Sequence, residues 1–247
     1  MSIKQIIEAF RPEAIRKAIR RNRARIAQKR YSHLSTQQVF SEIYRKHIWG
    51  KSSDPSQRYY SGSGTHNKKA VSIYVEAVKN FLSAFADKPN VVDLGCGDFC
   101  IGSEIRRFCG SYIGCDIVPE LMEFDKKKYQ HLDVDFRVVD ITEDELPKGD
   151  VVFLREVFQH LSNDLISEAL PKIVGSYKYL VLTEHLPRRG GFRPNLDKTT
   201  GDHIRLLIDS GIVLTEPPFN LRAMDERVLC EVLDKRGVIR TTAFTLS

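Results

Sequence analysis

The hydrophobic rhythm of the chain changes twice. Over residues 3–26 apolar side chains recur every three or four positions: Ile3, Ile7, Phe10 and Ala14, then Ile15, Ala18, Ile19 and Ile26. That spacing predicts helices, with Pro12 in the first turn of the second. A short helix is expected to end near Ile48-Trp49-Gly50, before a polar loop, Ser61-Gly-Ser-Gly-Thr65. Val71, Val75, Val78 and Leu82 then space a helix over 68–86, and Pro89 lies just beyond it. From residue 90 short apolar runs take over. Residues 90–94, 112–116, 134–139, 149–154 and 178–183 read as strands, with helices near 101–109, 119–129 and 163–174. Short apolar strands separated by helices predict a parallel sheet covered on both faces. The tail, 227–234 and 238–246 around a Lys-Arg-Gly turn, reads as a closing antiparallel hairpin.

Composition sharpens this picture in two places. The 42% apolar fraction of the 247 residues is ample for a core, and no apolar run approaches the roughly 18 residues that a membrane helix needs. No secretory signal is expected, because the N-terminus lacks an apolar central run and a small-residue cleavage site. Charge is uneven. Residues 1–30 hold ten Lys/Arg and two Asp/Glu, a net of +8 against +6 for the whole chain, so residues 31–247 carry −2. The basic character belongs to that first segment. Its apolar and basic faces suit three roles: packing on its own domain or a second copy, docking on an anionic membrane surface, or contact with a nucleic acid or acidic partner. Five cysteines (Cys96, Cys100, Cys109, Cys115 and Cys230) form no C-x-x-C pair. They read as buried reduced thiols of a cytoplasmic protein, and no spacing demands a metal.

The stretch Val91-Val-Asp-Leu-Gly-Cys-Gly-Asp-Phe-Cys-Ile-Gly102 runs a strand into a glycine turn and a helix. Gly95 and Gly97 supply G-x-G, but Cys100 stands where a dinucleotide fingerprint needs its third glycine, and the triphosphate-cradling G-x-x-x-x-G-K-[ST] is absent. The carboxylate of Asp93, at the end of the first strand, would repel a pyrophosphate. It suits a nucleoside that carries an ammonium group.

On these residues the chain resembles class I S-adenosylmethionine (SAM) dependent methyltransferases, over roughly residues 68–246. The resemblance implies a Rossmann-like α/β fold: a seven-stranded, mostly parallel sheet with a C-terminal antiparallel hairpin. It divides the chain into a basic helical extension and lid, 1–67, and a SAM-dependent domain, 68–247. It also implies that the turn from Asp93 through Gly95 and Gly97 approaches the methionyl part of SAM. Asp116, in Ile113-Gly-Cys-Asp116, would bind the ribose hydroxyls, and Asp140 the adenine amino group, with Ile117 and Ile141 sandwiching the ring.

The fourth strand leads into Arg155-Glu-Val-Phe-Gln-His160. Methyltransferases of exocyclic base amines generally carry [DNS]-P-P-[FYW] here, and Glu216-Pro-Pro-Phe219 lies after the fifth strand instead, so amine methylation of DNA bases is not expected. His160 is the candidate general base for methyl transfer to a hydroxyl. His185, in Thr183-Glu-His185, is a second catalytic candidate. Arg155 is assigned to the cofactor, and Glu156, Glu184, Arg188 and Arg193 to the acceptor. The segments 43–50, 61–64, 94–99 and 155–160 are also similar to small bacterial methyltransferases associated with polysaccharide or glycan modification. That narrower resemblance implies a lid over 41–67, whose Ser-Gly loop supplies backbone donors, and a small-molecule or glycan acceptor. An RNA or protein methyltransferase gripping its polymer through residues 1–30, and a non-catalytic SAM-binding protein, are the alternatives.

Overall fold

The computed structural model describes Ile15, Asn22, Ile26 and residues 29–188, 191–234 and 237–246. Most of the basic segment 1–30, with the helices and the membrane, nucleic-acid or self-association roles expected of it, lies outside the described residues, as does Arg189. Among the described residues no helix is long and apolar enough to cross a membrane.

Helix α1 (Thr36–Arg45) begins in a capping box: Ser35 Oγ accepts the Gln38 N–H while Gln38 Oε1 accepts the Ser35 N–H. It stops sooner than expected, because His47 takes a left-handed φ of 52° and turns Ile48-Trp49 back over the helix. Asn67 caps α2 (Lys68–Leu82) by accepting the Ala70 N–H.

Seven strands follow: β1 (Val91–Leu94), β2 (Tyr112–Asp116), β3 (Asp135–Val138), β4 (Val151–Arg155), β5 (Tyr179–Pro187), β6 (Asp225–Leu233) and β7 (Gly237–Thr245). They lie in the order β3-β2-β1-β4-β5-β7-β6. The first five are mutually parallel, and β7 runs antiparallel between β5 and β6. Helices α3 (Cys100–Ile105), α4 (Pro119–Lys128) and α5 (Asn163–Ser176) fill the crossovers. Strand β5 outruns its expected end at residue 183. Its pairing with β4 stops at Thr183, whereas β7 stays in register with it from Tyr179 to Pro187.

The alternation along each strand splits the core in two. Val91, Tyr112, Val151 and Val181 pack with α2, α3 and α4 on one face. Val92, Cys115, Val152 and Leu182 pack with α5 on the other. Both sets are almost free of solvent, as a sheet covered on both sides requires. A separate small cluster of Tyr31, Val39 and Ile43, with Phe40 and Trp49 against it, gives the segment before α2 its own core. The chain order reverses between β1 and β4, and at such a switch point the strand ends part to leave a crevice.

Candidate active site

A cleft opens at that crevice, enclosing about 1110 Å³ of space that is partly open to solvent. Its floor is the glycine turn. The N–H groups of Gly95 and Cys96 both donate to the Cys115 carbonyl, at 2.8 and 2.9 Å, and fold the turn against the end of β2. Gly95 and Gly97 adopt φ of 76° and 59°, which glycine takes at little cost. A Cβ at Gly95 would collide with Val157, and one at Gly97 would stand 2.5 Å from Ser61 Oγ. Phe99, also left-handed at φ 54°, anchors the turn from below in an aromatic cluster with Tyr112, Tyr129 and Phe136.

Carboxylates line this floor. Asp116 accepts the Gly97 N–H through Oδ2 and the Val118 N–H through Oδ1, each at 3.1 Å, which aims it across the cleft. Asp93 accepts the Tyr112 hydroxyl at 2.8 Å. Burial raises both above the usual aspartate value, each to about 6, against the opposing pull of those hydrogen bonds. Asp140 accepts both the backbone N–H and the hydroxyl of Thr142 through one oxygen, and the other remains for a ligand. Ile117 and Ile141 line the same end. At the centre Arg155 pairs with Glu156 at 2.8 Å and lies over the Tyr74 ring, yet its Nε is buried without a hydrogen-bond partner. Two buried carboxylates held near 6 and an orphaned guanidinium N–H fit a zwitterionic ligand with an ammonium, a carboxylate and ribose hydroxyls. The methionyl and ribosyl parts of SAM are such a ligand. Asp93 and Arg155 would hold its amino-acid end, Asp116 the ribose and Asp140 the base.

The far end of the cleft is built differently. After β4, Glu156 takes a left-handed φ of 58° and a 3-10 turn, Phe158–His160, carries His160 to the wall. Its Nδ1 lies 3.1 Å from the Gly201 carbonyl, so the neutral ring donates there and leaves Nε2 to the cleft. Burial first, then the charge of Lys198, pushes the imidazole down to about 3. Trp49 and Phe40 close over it, with ring centroids 5.0 and 6.5 Å from the imidazole.

The lid is clasped to the glycine turn through Asp98, which is fully buried. Asp98 Oδ2 accepts the Ser61 N–H at 2.9 Å and lies 2.8 Å from His66 Nε2. In return, the Asp98 N–H donates to Ser61 Oγ, which also bonds Tyr44 Oη. The Ser-Gly loop therefore spends its Ser61 donor on the protein, not on the cleft. His66, Asp98 and Cys100 place three possible metal-ligand atoms within 4.8 Å of one another, but Asp98 is already committed to the clasp.

Of the residues singled out from sequence, Asp93, Gly95, Gly97, Asp116, Ile117, Asp140, Ile141, Arg155, Glu156 and His160 come together around the cleft. Four do not reach it. Strand alternation turns Glu184 to the α5 side, where Arg205 is its cationic neighbour. His185 packs against Gly237 in the hairpin and lies 3.3 Å from Asp234. Arg188 is exposed and donates to the Asp234 carbonyl, and Arg193 is exposed on the loop. The physical reason is the extension of β5: pairing with β7 carries residues 184–187 away from the parallel strand ends. Sequence reasoning missed Tyr44, Tyr74, Tyr112 and Leu161 as lining residues, and gave Trp49 only as the end of a helix. Trp49 does pack, but the helical spacing of Phe40 and Tyr44 is the one signal that pointed to an aromatic wall.

Residues 91–178 match a family model described as a methyltransferase domain. No curated protein matches the chain. Among solved structures, the chain is similar to the N-methyltransferase NodS from Bradyrhizobium japonicum WM9 in complex with S-adenosyl-L-homocysteine, at 14% identity and a TM-score of 0.56, over 82% of this chain and 97% of that one. Magnesium protoporphyrin IX methyltransferase from Synechocystis PCC 6803 with bound SAM follows at 15% and 0.54, over 85% and 97%. Human N-acetylserotonin methyltransferase in complex with SAM stands at 18% and 0.52, over 86% and 60%. At such identities the likeness is one of fold. The domain match spans the strands that carry the glycine turn, so the chain contains a methyltransferase domain, and its fold is the one these SAM-dependent methyltransferases share.

Proposed function

We propose that the enzyme transfers a methyl group to a hydroxyl of a sugar or a related small polar acceptor, with His160 as general base. The observation that supports this reading best is the orientation of His160: Nδ1 is tied to the Gly201 carbonyl and the ring lines the cleft, so Nε2 is an acceptor without a protein partner among the described residues. SAM, when bound, supplies a methyl group on a sulfonium, and displacement at that carbon needs an in-line nucleophile. The protein's part is to hold the acceptor oxygen in line and take its proton. A base near 3 is weak, but it is free of protons at every physiological pH. The oxygen becomes strongly acidic as its new bond to carbon forms, so the proton still moves downhill to imidazole. A neutral amine would need no such base before attack.

The wall around His160 also suits a sugar. Trp49 and Phe40 offer flat apolar faces to C–H groups, while Glu156 lines the same cavity with carboxylate oxygens for hydroxyls. A glycan or small-molecule partner follows from this combination. The test is incubation with methyl-labelled SAM and a panel of mono- and oligosaccharides, primary amines and carboxylic acids. Label recovered as a methyl ether supports the reading. Label recovered only in methylamines or methyl esters overturns it.

A further inference from the structure

The turn that carries His160 is stitched to one segment, residues 195–205. Arg205 donates to the Phe158 carbonyl at 2.8 Å and to Asn163 Oδ1 at 2.7 Å. Gly201 donates its N–H to the His160 carbonyl at 3.0 Å while its own carbonyl takes the imidazole. Thr200 Oγ1 and Asp197 Oδ1 accept the N–H groups of Ser162 and Asn163. Lys198 adds one more bond, from Nζ to the His160 carbonyl at 3.0 Å.

Lys198 is the unusual member of this set. Its ammonium is partly buried, and no carboxylate among the described residues forms an ion pair with it. Burying an unpaired cation is costly, and a neutral donor could hold a carbonyl equally well. Its charge is therefore the feature that wants a purpose, and the nearest chemistry is the ring of the same His160 whose carbonyl it holds. We propose that Lys198 is a positioning residue for His160: it fixes the catalytic turn through the His160 carbonyl, and its charge repels a proton from the imidazole. The inference rests on the reading of His160 as the base.

Among the other groups acting on the ring, the Gly201 carbonyl favours protonation by accepting from Nδ1, and the charged ones oppose it. Arg205 and His203, from the same segment, also oppose its protonation. The lid presents only the uncharged rings of Phe40 and Trp49. The carboxylates on the packed elements are engaged elsewhere: Glu156 by Arg155, Glu184 by the field of Arg205, Asp202 by Tyr31 and Asp197 by the Asn163 N–H, although Asp197 and Asp202 both favour the charged form of Lys198. Burial, and then Arg205, brings Lys198 itself down to about 7. It is charged below that pH, the range in which an ordinary histidine would take up a proton and cease to be a base.

The full chain, labelled with ¹⁵N-histidine and saturated with S-adenosylhomocysteine, tests this by NMR. His160 should stay in the Nδ1–H form down to pH 4.5. In Lys198→Met its protonation midpoint should rise into the range between pH 4.5 and 6.5, and Lys198→Arg should return it below that range. Lys198→Gln, which keeps a donor without the charge, should titrate like the Met variant and serves if Met does not fold. With the acceptor found in the labelled panel, turnover of the Met and Gln variants should fall at least about twofold at pH 4.5, where half or more of their His160 would be protonated, and hardly at all at pH 8, with KM for SAM unchanged. Unchanged titration and turnover in both neutral variants overturns the proposal while the role of His160 stands. Undiminished turnover in His160→Ala overturns both.

Discussion

The two ends of the cleft are built on different plans. The cofactor end draws its carboxylates and glycines from three consecutive strand ends within residues 93–142, mostly through backbone hydrogen bonds inside βαβ units. The other end, around His160, is assembled from three separate pieces: the lid, the turn after β4 and the segment 195–205, with Arg205 beneath them. Its joints span the whole chain. Tyr31 Oη bonds Asp202 Oδ1 across 171 positions, and Trp49 Nε1 bonds the Asp202 carbonyl across 153. The contrast teaches that the carboxylate end is set by local chain geometry, whereas the His160 end depends on long-range docking, and the two meet at the clasp between Asp98 and Ser61.

The largest effect that would sharpen this contrast is expected at Asp116. Charge-assisted hydrogen bonds to two ribose hydroxyls are worth about 1.5–3 kcal/mol each. Asp116→Ala should therefore weaken S-adenosylhomocysteine binding by about 10²–10⁴-fold in calorimetry, and it also frees the Gly97 and Val118 N–H groups that the carboxylate now receives. Next comes the other end. His160→Ala should cut turnover by about 10²-fold or more, the usual worth of a general base, while cofactor affinity changes less than about twofold. A large loss of cofactor affinity in that variant would break the division of labour.

Gly97→Ala addresses the seam between the two ends. A Cβ there meets Ser61 Oγ at a φ of 59°, so both the floor and the lid clasp must shift. Strain of this kind costs about 1–3 kcal/mol, and about a tenfold loss of cofactor affinity with a lower melting temperature should follow.

A smaller effect concerns pH. Asp93 and Asp116 sit near 6 in the fold against 3.8 ordinarily, so the ligand-free protein is favoured by keeping them protonated and loses that stability as pH rises from about 4 through 6. A cationic, hydroxyl-bearing ligand favours their ionised forms. Cofactor affinity should thus increase between pH 5 and 7 by about tenfold for each carboxylate that must ionise, and level off above, and calorimetry across that range reads it directly. The smallest effect is expected at Arg193→Ala, which should leave both turnover and cofactor binding within about twofold, because the side chain is exposed and away from the cleft.

Much of the cofactor end was legible in the residues, for a physical reason. An acidic residue at the tip of a buried strand, followed by glycines, leaves few alternatives once strands alternate with helices, and Asp93, Asp116 and Asp140 all fell at such tips. The acceptor end was legible only where it stays near a strand end, at Glu156 and His160. Glu184 and His185 looked equivalent to them in sequence. They were displaced because an antiparallel neighbour extends β5, and nothing within residues 178–187 announces that neighbour.

The amino-acid order alone determined the βαβ rhythm, the hairpin at the tail and the chemistry of the turn at residues 93–97, since each follows from contacts between residues close along the chain. Which histidine reaches the cleft, what Trp49 covers and where Asp98 and Lys198 spend their hydrogen bonds were decided only when distant segments packed together. Those choices depend on strand extension, burial and unpaired charge, and none of these is a property of a local stretch.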